Sequence, residues 1–261
     1  MTPLIIASVC VPLAFALAWG WAVKIGNYSL VDAVWAFGIG VTACFWLAMG
    51  TGDPTCRIVA ALLIAMWSLR LGGYLHLRIH RMHPKEDPRY AKLREIWKDR
   101  QKSAFFGFFQ VQAASVALLA LPFFAIAHQP DGWGVIETLG AGVALIGLIG
   151  ESLADRQMAA FKRANSDSRG VCRDGLWRYS RHPNYFFESV IWWGFYVMAC
   201  GSPWGWATIH APLAITWLLL RVTGIPPTEA AAVSRKGEAY RQYQATTSAF
   251  IPMPPTRSDG K

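Results

Sequence analysis

The stretch G-L-W-R-Y-S-R-H-P-N-Y-F-F-E, Gly175 to Glu188, decides how this chain is read. Its first half is dense in Arg, Tyr and His, and its second half runs without a break into an apolar segment from Phe186 to Cys200. Charge and membrane-type sequence therefore meet within one helical turn. Pro183 sits where a first-turn proline is tolerated, and Asn184 and Tyr185 follow on that turn, so the backbone N–H groups freed there can face an anion. Arg178, Arg181 and His182 would surround that anion. Glu188 lies one turn deeper than Asn184, where an ionisable group is costly unless it is paired or faces a polar cavity. The stretch reads as the mouth of an active site, against the alternative of a cytoplasmic loop whose basic residues only anchor lipid headgroups.

Working outward, the composition sets the class. The 261 residues are 54% hydrophobic and only 16% charged, against roughly 25% charged in a soluble domain. The net charge of +9 would suggest nucleic acid in a soluble protein. Here the positive residues are segregated between apolar runs, as in a polytopic membrane protein, which argues against that partner. Cys10, Cys44, Cys56, Cys172 and Cys200 show no C-x-x-C spacing, so neither a zinc site nor a disulfide framework is indicated.

The expected fold is an all-α polytopic membrane protein with seven transmembrane helices, at about 4–23, 30–49, 56–77, 105–127, 135–153, 185–200 and 204–220. Each is near the roughly 20 residues that cross a bilayer, the sixth being the shortest. The first run lacks the basic leader and small-residue cleavage site of a signal peptide and is expected to stay. Ser29 is placed to cap the second. All but two of the 25 Lys and Arg residues, Arg57 and Arg70, fall in odd-numbered connections or the tail. By the positive-inside rule, loops 78–104 and 156–184 and the tail 221–261 are cytoplasmic, and the amino terminus is outside. The linker Asn165 to Gly170, rich in Ser and Asp, leads back to the opening stretch.

Several residues sit where lipid would not tolerate them. Asp32 opens the second span with Trp35 one turn on, and Arg70 and Tyr74 form an i, i+4 pair in the third. A buried Arg needs a partner, and Asp32 and Glu188 are the candidate carboxylates, either as chemistry or as an inter-helix lock. His76, His80 and His83 share a helical face, but no second histidine box exists, so they read as helix-end cations and no metal is expected. Glu229 to Tyr243 reads as a cytoplasmic helix.

A multi-span chain with this opening stretch, then a last span, then E-A-Y-R-Q-Y (Glu238–Tyr243) and S-A-F-I-P (Ser248–Pro252) resembles the membrane family that joins steroid 5α-reductases, sterol reductases and isoprenylcysteine carboxyl methyltransferases. Within it, N-Y-S-L-V-D-A-V-W (Asn27–Trp35), H-P-K-E-D-P-R-Y (His83–Tyr90) and G-I-P-P-T-E (Gly224–Glu229) resemble the bacterial 3-oxo-5α-steroid 4-dehydrogenase-like branch. His182–Pro183 departs toward the sterol-reductase and methyltransferase pattern, which leaves hydride and methyl transfer both open.

The resemblance implies NADPH at a cytoplasmic mouth and reduction of the Δ4 double bond of a 3-oxo-Δ4 steroid or steroid-like enone, with the bilayer as surroundings; a short chain rich in Ala and Arg suggests a bacterial inner membrane as the location. Carried over residue by residue, it makes Asp155, Lys162, Arg163, Arg178, Tyr179, Arg181, His182, Asn184, Arg221, Glu229, Tyr240 and Tyr243 cofactor contacts. Asp32, Tyr74 and Glu188 become the catalytic candidates, and Trp35, Trp67 and Arg70 the substrate contacts. No G-x-G-x-x-G is present, so side chains must supply what a Rossmann loop's backbone would. The competing classes are an S-adenosylmethionine-dependent methyltransferase and a non-catalytic membrane scaffold.

Overall fold

A computed structural model describes residues 2–165 and 170–256. Most of the Ser- and Asp-rich linker, and with it Arg169, Arg257 and Lys261 of the cytoplasmic charge pattern, lies outside the described residues. The chain divides into two compact units, Met1–Glu137 with Ala199–Thr208, and Thr138–Met198 with Ile209–Lys261. Among the described residues all regular structure is helical.

The first unit is built from α1 (Thr2–Ile25), α2 (Leu30–Met49), α3 (Pro54–Met82), α4 (Pro88–Trp97) and α5 (Gln101–Ala127). Two of these helices start on the same dipeptide. Asp53 and Asp87 cap α3 and α4, accepting from Cys56 N at 2.9 Å and Arg89 N at 3.0 Å, with a proline next in each case. The proline forfeits an N–H that would be unsatisfied anyway, and the aspartate takes one of the others. Ser29 departs from the expected cap: its hydroxyl makes no bond to the first turn of α2 and accepts from Asp87 N instead, at 2.9 Å.

α2 is central and packs on α1, α3 and α5. Its contact with α3 depends on a missing side chain. A Cβ at Gly40 would fall 2.3 Å from Ser68 Oγ, and that hydroxyl donates to Ala36 O at 3.0 Å. Small residues let membrane helices approach closely enough for such a bond.

The second unit holds the body of α6 (Val135–Ala164), a 3-10 turn at Gly175–Arg178, α7 (Pro183–Ala199), α8 (His210–Trp217) running into a π-turn (Leu218–Val222), α9 (Ile225–Lys236) and α10 (Glu238–Thr246). α7 lies against α6 with equal intimacy: a Cβ at Gly194 would sit 2.4 Å from Ala144 N.

Among the described residues six helical runs are long and apolar enough to cross a membrane: Thr2–Ile25, Leu30–Met49, Pro54–Met82, Pro88–Ala127, Val135–Ala164 and Gly205–Lys236. Their outer faces carry apolar side chains that a water-soluble protein would hide, such as Leu17 at 77% and Leu69 at 68% exposure. The chain is an integral membrane protein with lipid against these faces. The expected sixth span is the difference. It forms α7, whose 17 residues reach about 25 Å at 1.5 Å per residue, short of the roughly 30 Å hydrocarbon core. The apolar part of the last run ends in the π-turn, and α9 and α10 follow in the polar tail.

Candidate functional site

The opening stretch folds onto its own unit through its aromatic and hydroxyl groups. Trp177 Nε1 donates to Ala154 O and Gln157 Oε1 accepts from Leu176 N, both at 2.9 Å, which ties the 3-10 turn to α6. Gly175 takes φ +57 at the start of that turn, a conformation side chains disfavour. The Tyr243 hydroxyl donates to the carbonyls of Trp177 and Ser180. Residues 248–253 then run alongside: Arg181 N donates to Ser248 O at 2.8 Å, Ser180 Oγ to Phe250 O at 2.8 Å, and Met253 N to Tyr179 O at 2.9 Å.

Glu229 lies at the centre of this fold-back. Its carboxylate accepts from Arg181 Nε at 2.6 Å and Nη2 at 3.1 Å, and from Gln244 Nε2 at 2.7 Å. The His182 ring nitrogen lies 3.2 Å away and the Tyr240 hydroxyl 3.3 Å. Burial alone would raise this carboxyl, but donors from His182, Arg181 and Gln244, with the Arg181 charge, outweigh it and hold Glu229 down to about 2. Arg181 directs its remaining nitrogen to the carbonyls of Gln244 and Thr247. Burial pushes the Tyr240 hydroxyl up, and the Glu229 charge adds to it. The His182 ring stacks on Tyr185 at 5.3 Å.

Of the expected cofactor contacts, Arg181, His182 and Tyr240 meet at Glu229 and are satisfied there, while Tyr243 is satisfied by the Trp177 and Ser180 carbonyls. Asp155, Lys162, Arg163, Arg178, Tyr179 and Arg221 are exposed. Asn184, on the first turn of α7, has its Oδ1 buried with no hydrogen-bond partner among the described residues. Glu188 is buried one turn deeper and accepts from Trp192 Nε1 at 2.9 Å.

In the first unit, two segments singled out in the sequence prove to be each other's partners. Tyr28 N donates to the Glu86 carboxylate, Asn27 Nδ2 lies 3.5 Å from Lys85 O, and Ser29 Oγ receives Asp87 N. Arg94 closes the junction, reaching Glu86 at 3.1 Å and Gly26 O at 3.2 Å with its guanidinium 4.8 Å from the Tyr28 ring centroid. Asp87 takes Arg78 Nη2 at 2.7 Å and Arg89 Nε at 3.0 Å. Burial would raise its carboxyl, yet the Arg89 hydrogen bonds and the two guanidinium charges lower it.

Asp32 ends this chain of ion pairs. It accepts from Arg89 Nη2 at 2.7 Å and from the buried Tyr90 hydroxyl, so its cationic partner is Arg89, where the sequence had suggested Arg70. Beside it lies a shallow cleft with Asn27, Ser29, Asp32 and Asp87 on one side and Leu75, Ile79 and Met82 of α3 on the other. Tyr74 turns its ring outward, 60% exposed, and the hydroxyl beside Asp32 is that of Tyr90. Trp35 and Trp67 do meet, edge to face at 6.3 Å, with Trp35 Nε1 donating to Ser115 Oγ at 2.9 Å. Arg89 and Tyr90 are within reach of sequence reasoning because they close the His83–Tyr90 motif, but the prolines and mixed charges of that motif mark it only as a loop. His76, His80 and His83 are exposed, and among the described residues no three His, Cys, Asp or Glu side chains gather as a metal site.

Helical membrane runs and two ion-paired clusters, one around Asp32 and one around Glu229, define the class of protein. The chain belongs to the family described as protein of unknown function (DUF1295), whose sequence profile matches residues 18–247 and takes in both clusters. It is 26% identical over 263 residues to the uncharacterized protein C594.04c of Schizosaccharomyces pombe, covering 90% of this chain and 75% of that one. No solved structure matches.

Proposed function

We propose that this protein is an NADPH-dependent membrane reductase that saturates the Δ4 double bond of 3-oxo-Δ4 steroids or steroid-like enones, with hydride added at C5 and a proton at C4. The observation that carries the reading is the mouth of α7, where Asn184 has a buried acceptor with no partner among the described residues and the exposed Arg178 precedes it in the chain. These residues fit a polyanionic nucleotide: Arg matches phosphate oxygens two at a time, and an orphaned amide oxygen calls for a ligand donor. NADPH, when bound, supplies the hydride. The Glu229 cluster serves this role by fixing the backbone on either side of Tyr179, so that Arg178 and Asn184 are presented in one geometry. Asp32, steadied by Arg89 and Tyr90, is the group proposed to bear a proton toward the enone oxygen.

Arg178→Ala should raise the Michaelis constant for NADPH roughly ten- to a hundredfold, from a charge-assisted contact of about 1.5–3 kcal/mol. An unchanged constant would leave Arg178 as a headgroup anchor. A second reading, methyl transfer from S-adenosylmethionine, rests on His182–Pro183. Mass spectrometry of the small molecule retained through detergent purification separates the two: a phosphorylated dinucleotide supports the reductase, a sulfonium compound the methyltransferase.

The reading also places seven crossings, the amino terminus outside and the mouth in the cytoplasm. Support comes from the bonds between residues 179–182 and the tail. They put the segment before α7 and the segment after α8 on one side, so α7 and the α8 run cross together or not at all. The α8 run is among those long and apolar enough to cross, which supports a crossing by α7 as well. A single cysteine placed in loop 78–104 of a cysteine-free variant should resist a membrane-impermeant reagent applied to intact cells and react after permeabilisation. Labelling in intact cells would reverse the orientation.

A further inference from the structure

Residues 199–208, between α7 and α8, read A-C-G-S-P-W-G-W-A-T and hold no charged side chain. Their backbone closes on itself. Ser202 N donates to Ala199 O at 2.9 Å, Gly205 N to Ser202 O at 3.0 Å and Thr208 Oγ1 to Gly205 O at 2.7 Å. A Cβ at Gly205 would fall 1.5 Å from Ala199 O, so the turn has no room to repack. Ser202, Gly205 and Thr208 are buried in it, yet Trp204 and Trp206 are 75% and 62% exposed. The tight backbone thus imposes the display of two indoles.

The turn that opens α6 has the same character and is fastened to this one. A Cβ at Gly201 would fall 1.8 Å from Glu137 Oε1, which places the two turns in direct contact. Glu137 is buried and accepts from Gln129 Nε2 at 2.6 Å and from Gly134 N at 2.9 Å, the second bond capping the start of the helix. Val135 and Ile136, just before it, are exposed. Four large apolar side chains therefore stand at the surface where apolar helices begin and end.

An indole joins an apolar body to a single N–H donor. Trp46, Trp177 and Trp192 are buried and donate theirs to Pro3 O, Ala154 O and Glu188 Oε1. The N–H groups of Trp204 and Trp206 have no acceptor among the described residues. Open water would solvate these donors but not the rings, and the acyl interior would do the reverse. The boundary between acyl chains and headgroups, with its ester and phosphate oxygens, meets both needs. With no charge in residues 199–208, seating the turn at that depth carries no ionic desolvation cost. We infer that Trp204 and Trp206 anchor this turn in the headgroup boundary of the bilayer and so fix the depth at which the start of α6 and the α7–α8 connection sit. The anchoring is independent of any catalytic role.

The test is fluorine NMR of the full chain carrying fluorotryptophan, reconstituted into phosphatidylcholine vesicles. Trp204→Phe and Trp206→Phe each remove one resonance and so assign the two indoles, and either assignment carries the test if the other variant does not fold. A nitroxide on the lipid headgroup should bleach the assigned resonances, and a nitroxide at the acyl-chain end should leave them intact. Bleaching by the chain-end nitroxide would place the turn in the bilayer core and overturn the inference. Bleaching by a soluble gadolinium chelate with both lipid nitroxides silent would place it in open water and overturn it equally. Resonances that survive all three reagents would show that protein covers the indoles, such as a second copy of this chain, and would also overturn it.

Discussion

Glu229→Ala should destabilise the second unit by about 3–5 kcal/mol, the range for removing one partner of a buried ion pair. The cost comes from the groups that stay behind. The Arg181 side chain is 10% exposed, and without the carboxylate its guanidinium keeps a charge that little water reaches. Gln244, Tyr240 and His182 lose their shared acceptor in the same step. The expected result is a large drop in thermal midpoint in detergent, with early proteolysis after residue 237, where α10 and the fold-back are no longer fastened. Arg181→Ala should behave alike and should show this loss before any specific effect on NADPH. A midpoint within a degree of wild type for Glu229→Ala would show that the cluster fastens nothing.

The same cluster predicts a pH dependence with a definite sign. Glu229 sits well below its ordinary 4.5, at about 2, so folding favours its ionised form. That contribution is fully present above pH 4.5 and is lost as pH falls through about 2. Midpoints measured downward from pH 7 should therefore hold until near pH 4.5 and then decline. Glu229→Gln, which cannot ionise, should start lower and decline less.

The membrane class was legible because hydropathy and charge are local properties, and a Lys/Arg-poor run of twenty residues carries its meaning wherever it stands. The proline start of α7 was legible for the same reason, whereas Pro54 and Pro88, which open α3 and α4, read only as turn and loop. Pairing at a distance was not. Tyr28 and Glu86 are 58 positions apart and Arg181 and Glu229 are 48, and no period or spacing links such residues. The expected cofactor set shows the consequence: the resemblance names Arg181, His182, Glu229, Tyr240 and Tyr243 one by one, but nothing in the sequence says that the first four meet at one carboxylate. Tyr74 shows a second limit. It lies two turns from Trp67, on nearly the same helical face, yet Trp67 is buried and Tyr74 exposed. Periodicity identifies a face but not how far along it the neighbouring helix reaches. α7 shows a third: an apolar run reads as a span, but its 17 residues fall short of the hydrocarbon core.

Asp32→Asn should lower turnover on a 3-oxo-Δ4 steroid such as progesterone by roughly a hundred- to ten-thousandfold, the range for loss of an acid–base group. Two roles compete for this carboxylate, and its neighbours allow them to be separated. As a lock, Asp32 holds the His83–Tyr90 segment through Arg89 and the Tyr90 hydroxyl. Arg89→Gln and Tyr90→Phe would then reproduce the effect of Asp32→Asn. As an acid, it must carry a proton that an amide cannot supply, and neither neighbour can replace it. The Arg89 pair is 40% and 18% exposed at its two ends, so breaking it should cost no more than about 1 kcal/mol after solvent screening. Asn keeps the volume of Asp and one acceptor oxygen, so it retains one of the two bonds that Asp32 accepts through separate oxygens. The expected result is a variant that purifies folded, melts within a few degrees of wild type and binds NADPH normally, but does not consume it with progesterone present. Arg89→Gln should retain most of its turnover. Equal losses in Asp32→Asn and Arg89→Gln would make Asp32 a lock, and full activity in Asp32→Asn would move the proton to Tyr90 or Glu188.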